Sequence, residues 1–141
     1  MFANVMLTCV FSIAAVSAAQ EVTMLRDIAD LKWKNRVIII LDSDNAANDI
    51  DRLNAAKAAI DDRDIVWFVN DGETTTSNYQ GKLKADFASY LRDAYNVEYS
   101  RLVYIGKDGG VKLRGDQLNL KDIFSLTDKM PMRRREMLEA H

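Results

Sequence analysis

Two runs of unbroken apolar residues, Val37-Ile38-Ile39-Ile40-Leu41 and Ile65-Val66-Trp67-Phe68-Val69, stand out because apolar positions elsewhere in the mature part of the chain recur periodically. β-favouring residues with no polar alternate belong to strands covered on both faces, as in the middle of a parallel sheet. Between the runs, Ile50, Leu53 and Ile60 make one helical stripe. Asp44 or Asn45 can cap that helix, and Asp61-Asp62-Arg63-Asp64 ends it. Upstream, Val22, Leu25, Ile28 and Ala29 predict a short amphipathic helix over 21–32. Residues 70–77 are polar, with Gly72 and three threonines, and predict a loop. Leu83, Phe87, Tyr90, Leu91 and Ala94 return to helical spacing. Residues 101–105 predict a third strand, Lys107-Asp108-Gly109-Gly110 a tight turn, and Val111-Lys112-Leu113-Arg114 a half-exposed fourth strand. Leu120, Ile123, Phe124 and Thr127 form the stripe of a last long helix, which Pro131 ends while opening a further turn through Met137.

The predicted order is therefore α-β-α-β-α-β-β-α. Crossover helices make the first strands parallel, and the glycine-rich turn makes the last two an antiparallel hairpin. A βαβ unit followed by a ββα unit predicts an α/β, thioredoxin-like three-layer fold with a mixed four-stranded sheet and flanking helices. No repeat, low-complexity segment or second domain interrupts it.

The first 19 residues change the picture of location. They hold no Asp, Glu, Lys or Arg, and an apolar run of Val5 to Val16 is followed by Ser17, Ala18 and Ala19. That pattern predicts a signal peptide over 1–19, cleaved after Ala18 or Ala19, and too short to span a bilayer, which takes roughly 20 apolar residues. The folded domain then occupies 21–138, in the periplasm or secreted, without stable membrane insertion after processing. Cys9, the chain's one cysteine, lies inside the removed run. The processed chain thus has no sulfur nucleophile, which excludes a disulfide framework, a CxxC redox centre and a thiolate metal site. About 120 residues remain, enough to build a core without such staples.

Composition is that of an ordinary globular protein, 48% hydrophobic and 28% charged, and the net charge of −2 gives no reason to expect nucleic acid as a partner. The charge is uneven, however: residues 42–71 carry eight acids and three bases, residues 101–141 nine bases and six acids. Candidate chemistry follows that division. Asp42-Ser43-Asp44, just past a buried strand, places two carboxylates where they can share a Mg²⁺ or simply cap a helix. Lys107, Lys112 and Arg114 on the hairpin, with Arg133, Arg134 and Arg135 after the last helix, form the candidate binding set for an anion. The same arginines can instead pair with Asp128, Glu136 and Glu139 or face water. His141 stands alone at the terminus, no internal histidine activates Ser77, Thr74 or Tyr79, and Met130, Met132 and Met137 suit packing. No cofactor motif is present.

Four stretches, Lys32-Trp33-Lys34-Asn35-Arg36-Val37, Asp62-Arg63-Asp64, the run from Ile105 to Arg114 and the run from Asp128 to Met137, resemble a thioredoxin-like domain family of unknown function, the P-DUDES type. It includes short exported bacterial proteins and the domain of the vertebrate sushi-repeat-containing and equarin proteins. The resemblance implies a fold and an extracytoplasmic location, but no reaction. Against true thioredoxins, the turn after Leu41 reads Asp42-Ser43-Asp44-Asn45 instead of CxxC, and the sole proline is Pro131, far from the position of their cis-proline. The sequence therefore leads to an exported, redox-inactive module that binds a protein or an anionic ligand. A metal-assisted phosphohydrolase using Asp42 and Asp44 stands as the alternative.

Overall fold

The central strand of the molecule is β2 (Arg36–Ile40), flanked by β3 (Ile65–Asn70) on one side and β6 (Leu102–Ile105) on the other. This computed structural model describes residues 24–95 and 100–140; the predicted signal segment, Cys9 and His141 lie outside the described residues. β2 and β3 run parallel, with Val37 opposite Val66 and Ile39 opposite Phe68. β6 runs antiparallel to β2 and is followed by antiparallel β7 (Val111–Gly115). Within this sheet, parallel pairing is thus confined to β2 and β3. A fifth strand, β4 (Thr75–Ser77), closes the order β4-β3-β2-β6-β7.

Alternation along the buried strands splits the core into two layers. Val37, Ile39 and Leu41, with Val66, Phe68, Val103 and Ile105, meet Phe87 and Leu91 of α3 (Phe87–Tyr95). On the other face Ile38, Ile40, Trp67, Val69 and Tyr104 meet Leu53, Ile60 and Ile123. Those three side chains come from α1 (Ala46–Ala55), α2 (Lys57–Asp62) and α4 (Leu120–Asp128). Both strand runs are buried along their whole length, which is why neither shows a polar alternate.

Several sequence expectations are corrected. The mixed sheet has five strands, because the polar run 70–77 contains β4. There Asn70 bonds Thr75 Oγ1 (2.9 Å), and polar side chains suffice on an edge strand that hides no second face. Past the end of β4, Asn78 takes the strand's place, accepting from Trp67 N and donating to Ile65 O. Of the amphipathic helix expected over 21–32, residues 21–23 lie outside the described residues, and the remainder is β1 (Met24–Leu25), paired parallel with β5 (Lys82–Leu83), and a single 3-10 turn, Ile28–Leu31, capped by Asp27. Leu25, Ile28 and Leu31 are nevertheless buried, since a 3-10 turn also aligns residues three apart. The helix after β2 breaks at Ala56 into α1 and α2. The last helix, α4, ends before Pro131 as expected, but the further turn that Pro131 opens is a full helix, α5 (Pro131–Glu139). Among the described residues no helix is long and apolar enough to cross a membrane.

Candidate functional site

Chemistry-bearing side chains gather at the two ends of the sheet. At the carboxyl end of β2 the chain turns through Asp42, whose φ of 51° is left-handed. An L-residue adopts that conformation at a cost of roughly 1–2 kcal/mol, less for Asp than for most. The turn is held from outside. Ser43 N donates to Asn70 O (3.1 Å), and Arg92 grips both oxygens of Asp42, Nη2 at 2.8 Å and Nε at 3.3 Å. Arg92 also donates to the buried Asn70 Oδ1 (2.9 Å), tying α3 to the ends of β2 and β3. The Arg92 bonds outweigh the effect of burial and hold the Asp42 carboxyl below its ordinary range.

Beside this turn lies a polar cleft of about 540 Å³. Ser43, Asn48 and Asp49 from the turn and α1 form one wall; Arg101, just before β6, and Gln117, after β7, form the other. Ser43 Oγ donates to the buried Asp49 (2.8 Å), and Arg101 donates to Asp44 (2.6 Å) across the mouth. The two acids singled out in the sequence are thus brought close in the chain but not to one ligand. Asp42 belongs to Arg92 and Asp44 to Arg101, and among the described residues no group of three or more His, Cys, Asp or Glu is arranged to hold a metal ion.

The opposite end holds an ionic cluster that gathers parts of all four distinctive stretches of the sequence. Arg36, 1% exposed, reaches Glu136 with Nη1 (3.1 Å) and Nη2 (3.4 Å) and also donates to Arg63 O (2.9 Å). Lys107 bridges Glu136 (2.6 Å) and Asp64 (2.8 Å). Arg133 donates to Asp62 and Asp128, and Arg63 forks onto Asp128. Burial raises the Glu136 pKa, but the bonds from Lys107 and Arg36 prevail and leave it below normal. Asp128 is likewise lowered, first by the Arg63 hydrogen bonds.

The candidate basic set therefore divides. Lys107 and Arg133 are buried and held by the carboxylates of the cluster. Lys112 is exposed and pairs with Asp108 (2.9 Å). Arg114, on the outer strand β7, donates to Tyr95 O (2.8 Å), away from the cluster. Arg134 and Arg135 face solvent on α5. Sequence reasoning missed Arg36, Asp49, Arg92 and Arg101. Arg36 carried a legible signal, a charge opening an otherwise apolar strand; the other three depend on contacts between distant segments.

Residues 27–136 match the model of a family described as a domain of unknown function, DUF4174. No curated protein and no solved structure matches the chain.

Proposed function

The chain belongs to the DUF4174 family, a domain of unknown function, and from that premise we propose that it is an exported, redox-inactive, thioredoxin-like module that binds a polar ligand in the cleft beyond the carboxyl ends of its strands. The thioredoxin-like reading is supported by the run β3-β2-β6-β7, with β2 and β3 parallel and β6 and β7 antiparallel. It is supported also by α1, α2 and α4 sharing one face while α3 packs on the other. The P-DUDES affinity rests on the four stretches that meet at the ionic cluster. In thioredoxins the turn after the equivalent of β2 carries the redox cysteines and faces a cis-proline. Here that turn is Asp42-Ser43-Asp44-Asn45, the facing residue is Arg101, and the described peptide bonds are all trans.

The observation that carries the proposal is the cleft's position and lining. Ligands of open α/β sheets enter beyond the carboxyl ends of the strands, where loops leave a crevice. Asn45, Asn48 and Gln117 offer amide donors and acceptors there, while the three acids Asp44, Asp49 and Asp116 face the two arginines Arg52 and Arg101, one negative charge in excess. A near-neutral, hydrogen-bonding wall selects an uncharged, hydrogen-bond-rich molecule over a strongly charged one. Titration of the labelled protein with neutral polyols, saccharides and small amides should move the amide signals of Ser43, Asn48, Arg101 and Gln117. Asn48→Trp, which fills the cleft from the exposed side of α1, should abolish those shifts. Shifts that persist in the variant, or a panel that moves nothing in the cleft, would defeat the proposal. Mg²⁺-dependent phosphoester turnover lost on Asp42→Asn would favour the phosphohydrolase instead, but no contact of Asp42 or Asp44 speaks for it.

A further inference from the structure

A second cavity, of about 100 Å³, opens between the β6–β7 hairpin and the start of α5. Arg36, Lys107, Lys112 and the carboxylate of Asp108 supply its charged wall and Met130, Pro131 and Met132 its apolar one. We propose that this cavity is a binding site for a short aliphatic carboxylate, its anionic head among the three cations and its stem against the Met-Pro-Met segment.

Four features of the wall point to an anion there. Arg36 is almost wholly buried, yet its Nε is, among the described residues, a buried side-chain donor without a hydrogen-bond partner. A buried donor left unpaired costs about 1–3 kcal/mol, and native proteins rarely carry one without a reason. Lys107, also buried, presents an ammonium with three donors, of which Asp64 and Glu136 engage two. Lys112 is the extra residue of a β-bulge, because Tyr104 pairs with Leu113 and Ile105 with Val111. Bulges re-aim side chains, and this one turns a strand lysine towards the cavity. Finally, a Cβ on Gly106 would stand 2.6 Å from Lys112 Cε, so in this arrangement the lysine lies across the bare face of Gly106 and a side chain there would push it aside.

Size and residual charge narrow the ligand. The volume holds roughly three water-sized units, enough for a carboxylate and a short stem. Asp64, Glu136 and Asp108 equal the three cations in number, so the wall carries no surplus positive charge and suits a monoanion better than a dianion. A sulfate or phosphate would also have to shed water against methionine and proline with no compensating contact.

The test is a nuclear magnetic resonance titration of the full chain with butyrate, butyramide and sulfate at fixed ionic strength. Butyrate should give saturable shifts at Gly106, Lys112 and Met132, with butyramide and sulfate at least ten-fold weaker. Lys112→Ala should weaken butyrate five-fold or more without lowering Tm, and Met132→Trp, which fills the cavity, should abolish binding. A peptide with a free C-terminal valine, compared with its amide, separates the two sources of this chemistry. Peptide binding tighter than butyrate identifies a chain terminus, and weaker binding a free acid. Butyramide binding as well as butyrate, an unaffected Lys112→Ala, or shifts confined to other surfaces would overturn the proposal.

Discussion

Replacing Glu136 by glutamine keeps the size and one carbonyl acceptor but removes the charge that neutralises two buried cations. Arg36 loses the larger share: beyond Glu136 it retains only its bond to Arg63 O (2.9 Å), whereas Lys107 keeps Asp64 at 2.8 Å. A unit charge about 3 Å away is worth roughly 5 kcal/mol at an effective dielectric constant of 20. Part of that is recovered because Glu136 no longer has to be desolvated. The net loss should be about 3–4 kcal/mol, in the range measured when one partner of a buried pair is removed. For a domain of this size that lowers Tm by about 12–16 °C. Urea unfolding and calorimetry read both quantities. The triple variant Arg36→Met, Lys107→Met, Glu136→Leu should return to within about 1 kcal/mol of the parent, since removing Glu136 together with the two cations it neutralises loses attraction and desolvation together, and the Asp64 left behind is half exposed. A loss below 1 kcal/mol in Glu136→Gln, or a triple variant no better than the single one, would refute the claim that the cluster's cost lies in uncompensated charge.

Three further expectations follow from other contacts. Tyr104 Oη and Thr127 Oγ1 share a buried bond of 2.5 Å, and Thr127 also donates to Ile123 O; Thr127→Val strands a buried phenol and should cost about 1–3 kcal/mol, Tyr104→Phe about 1, by urea midpoint. Trp33 is 60% exposed with φ at 68°; Trp33→Gly should raise stability by up to about 1 kcal/mol, and a lower Tm would show that its side chain matters more than its backbone strain. Asp42, Asp128 and Glu136 have folded pKa values below those of free carboxyls. Their stabilisation is fully present above the unfolded range near pH 4 and is lost as pH falls below it. Acid unfolding should therefore begin below about pH 4.5 and be shallower in Glu136→Gln; a transition centred above pH 5.5 would contradict this.

What was legible in the sequence was what short-range pattern encodes. The runs 37–41 and 65–69 announced doubly covered strands because burial on both faces removes every polar alternate. The turn at Gly109, with φ at 82°, announced the hairpin. Strand β4 was invisible because an edge strand of threonine and serine has the composition of a loop, and its pairing is decided by Phe68, Val69 and Asn70 across the ladder. The 3-10 turn after β1 mimicked a helix because residues three apart face the same way in both. At the candidate sites, acids and bases could be counted from sequence, but partner choice could not. Arg92 and Asp42 are 50 residues apart, and Arg36 and Glu136 are 100 apart.

The ionic cluster explains why the distinctive stretches occur together. Arg36 opens the central strand, Asp62, Arg63 and Asp64 close α2 and lead into β3, Lys107 follows β6, and Asp128, Arg133 and Glu136 belong to α4 and α5. Each segment contributes a charge that is buried or half-buried only in company with the others, so losing any one exposes the rest to an unpaired desolvation cost. Such a cluster fixes how α5 docks without requiring an apolar seam, and α5 indeed buries Arg133 where a packing helix would bury leucine, while its Leu138 stays 78% exposed. The cleft at the carboxyl end is built on the opposite rule: its ion pair, Arg101 with Asp44, is solvent-exposed and therefore weak enough to be exchanged for a ligand. Closed pairing at one end makes a clasp that holds α5 to the sheet, with only the Arg36 Nε and the third Lys107 donor left over for the proposed carboxylate, whereas open pairing at the other end suits the polar ligand proposed for the cleft.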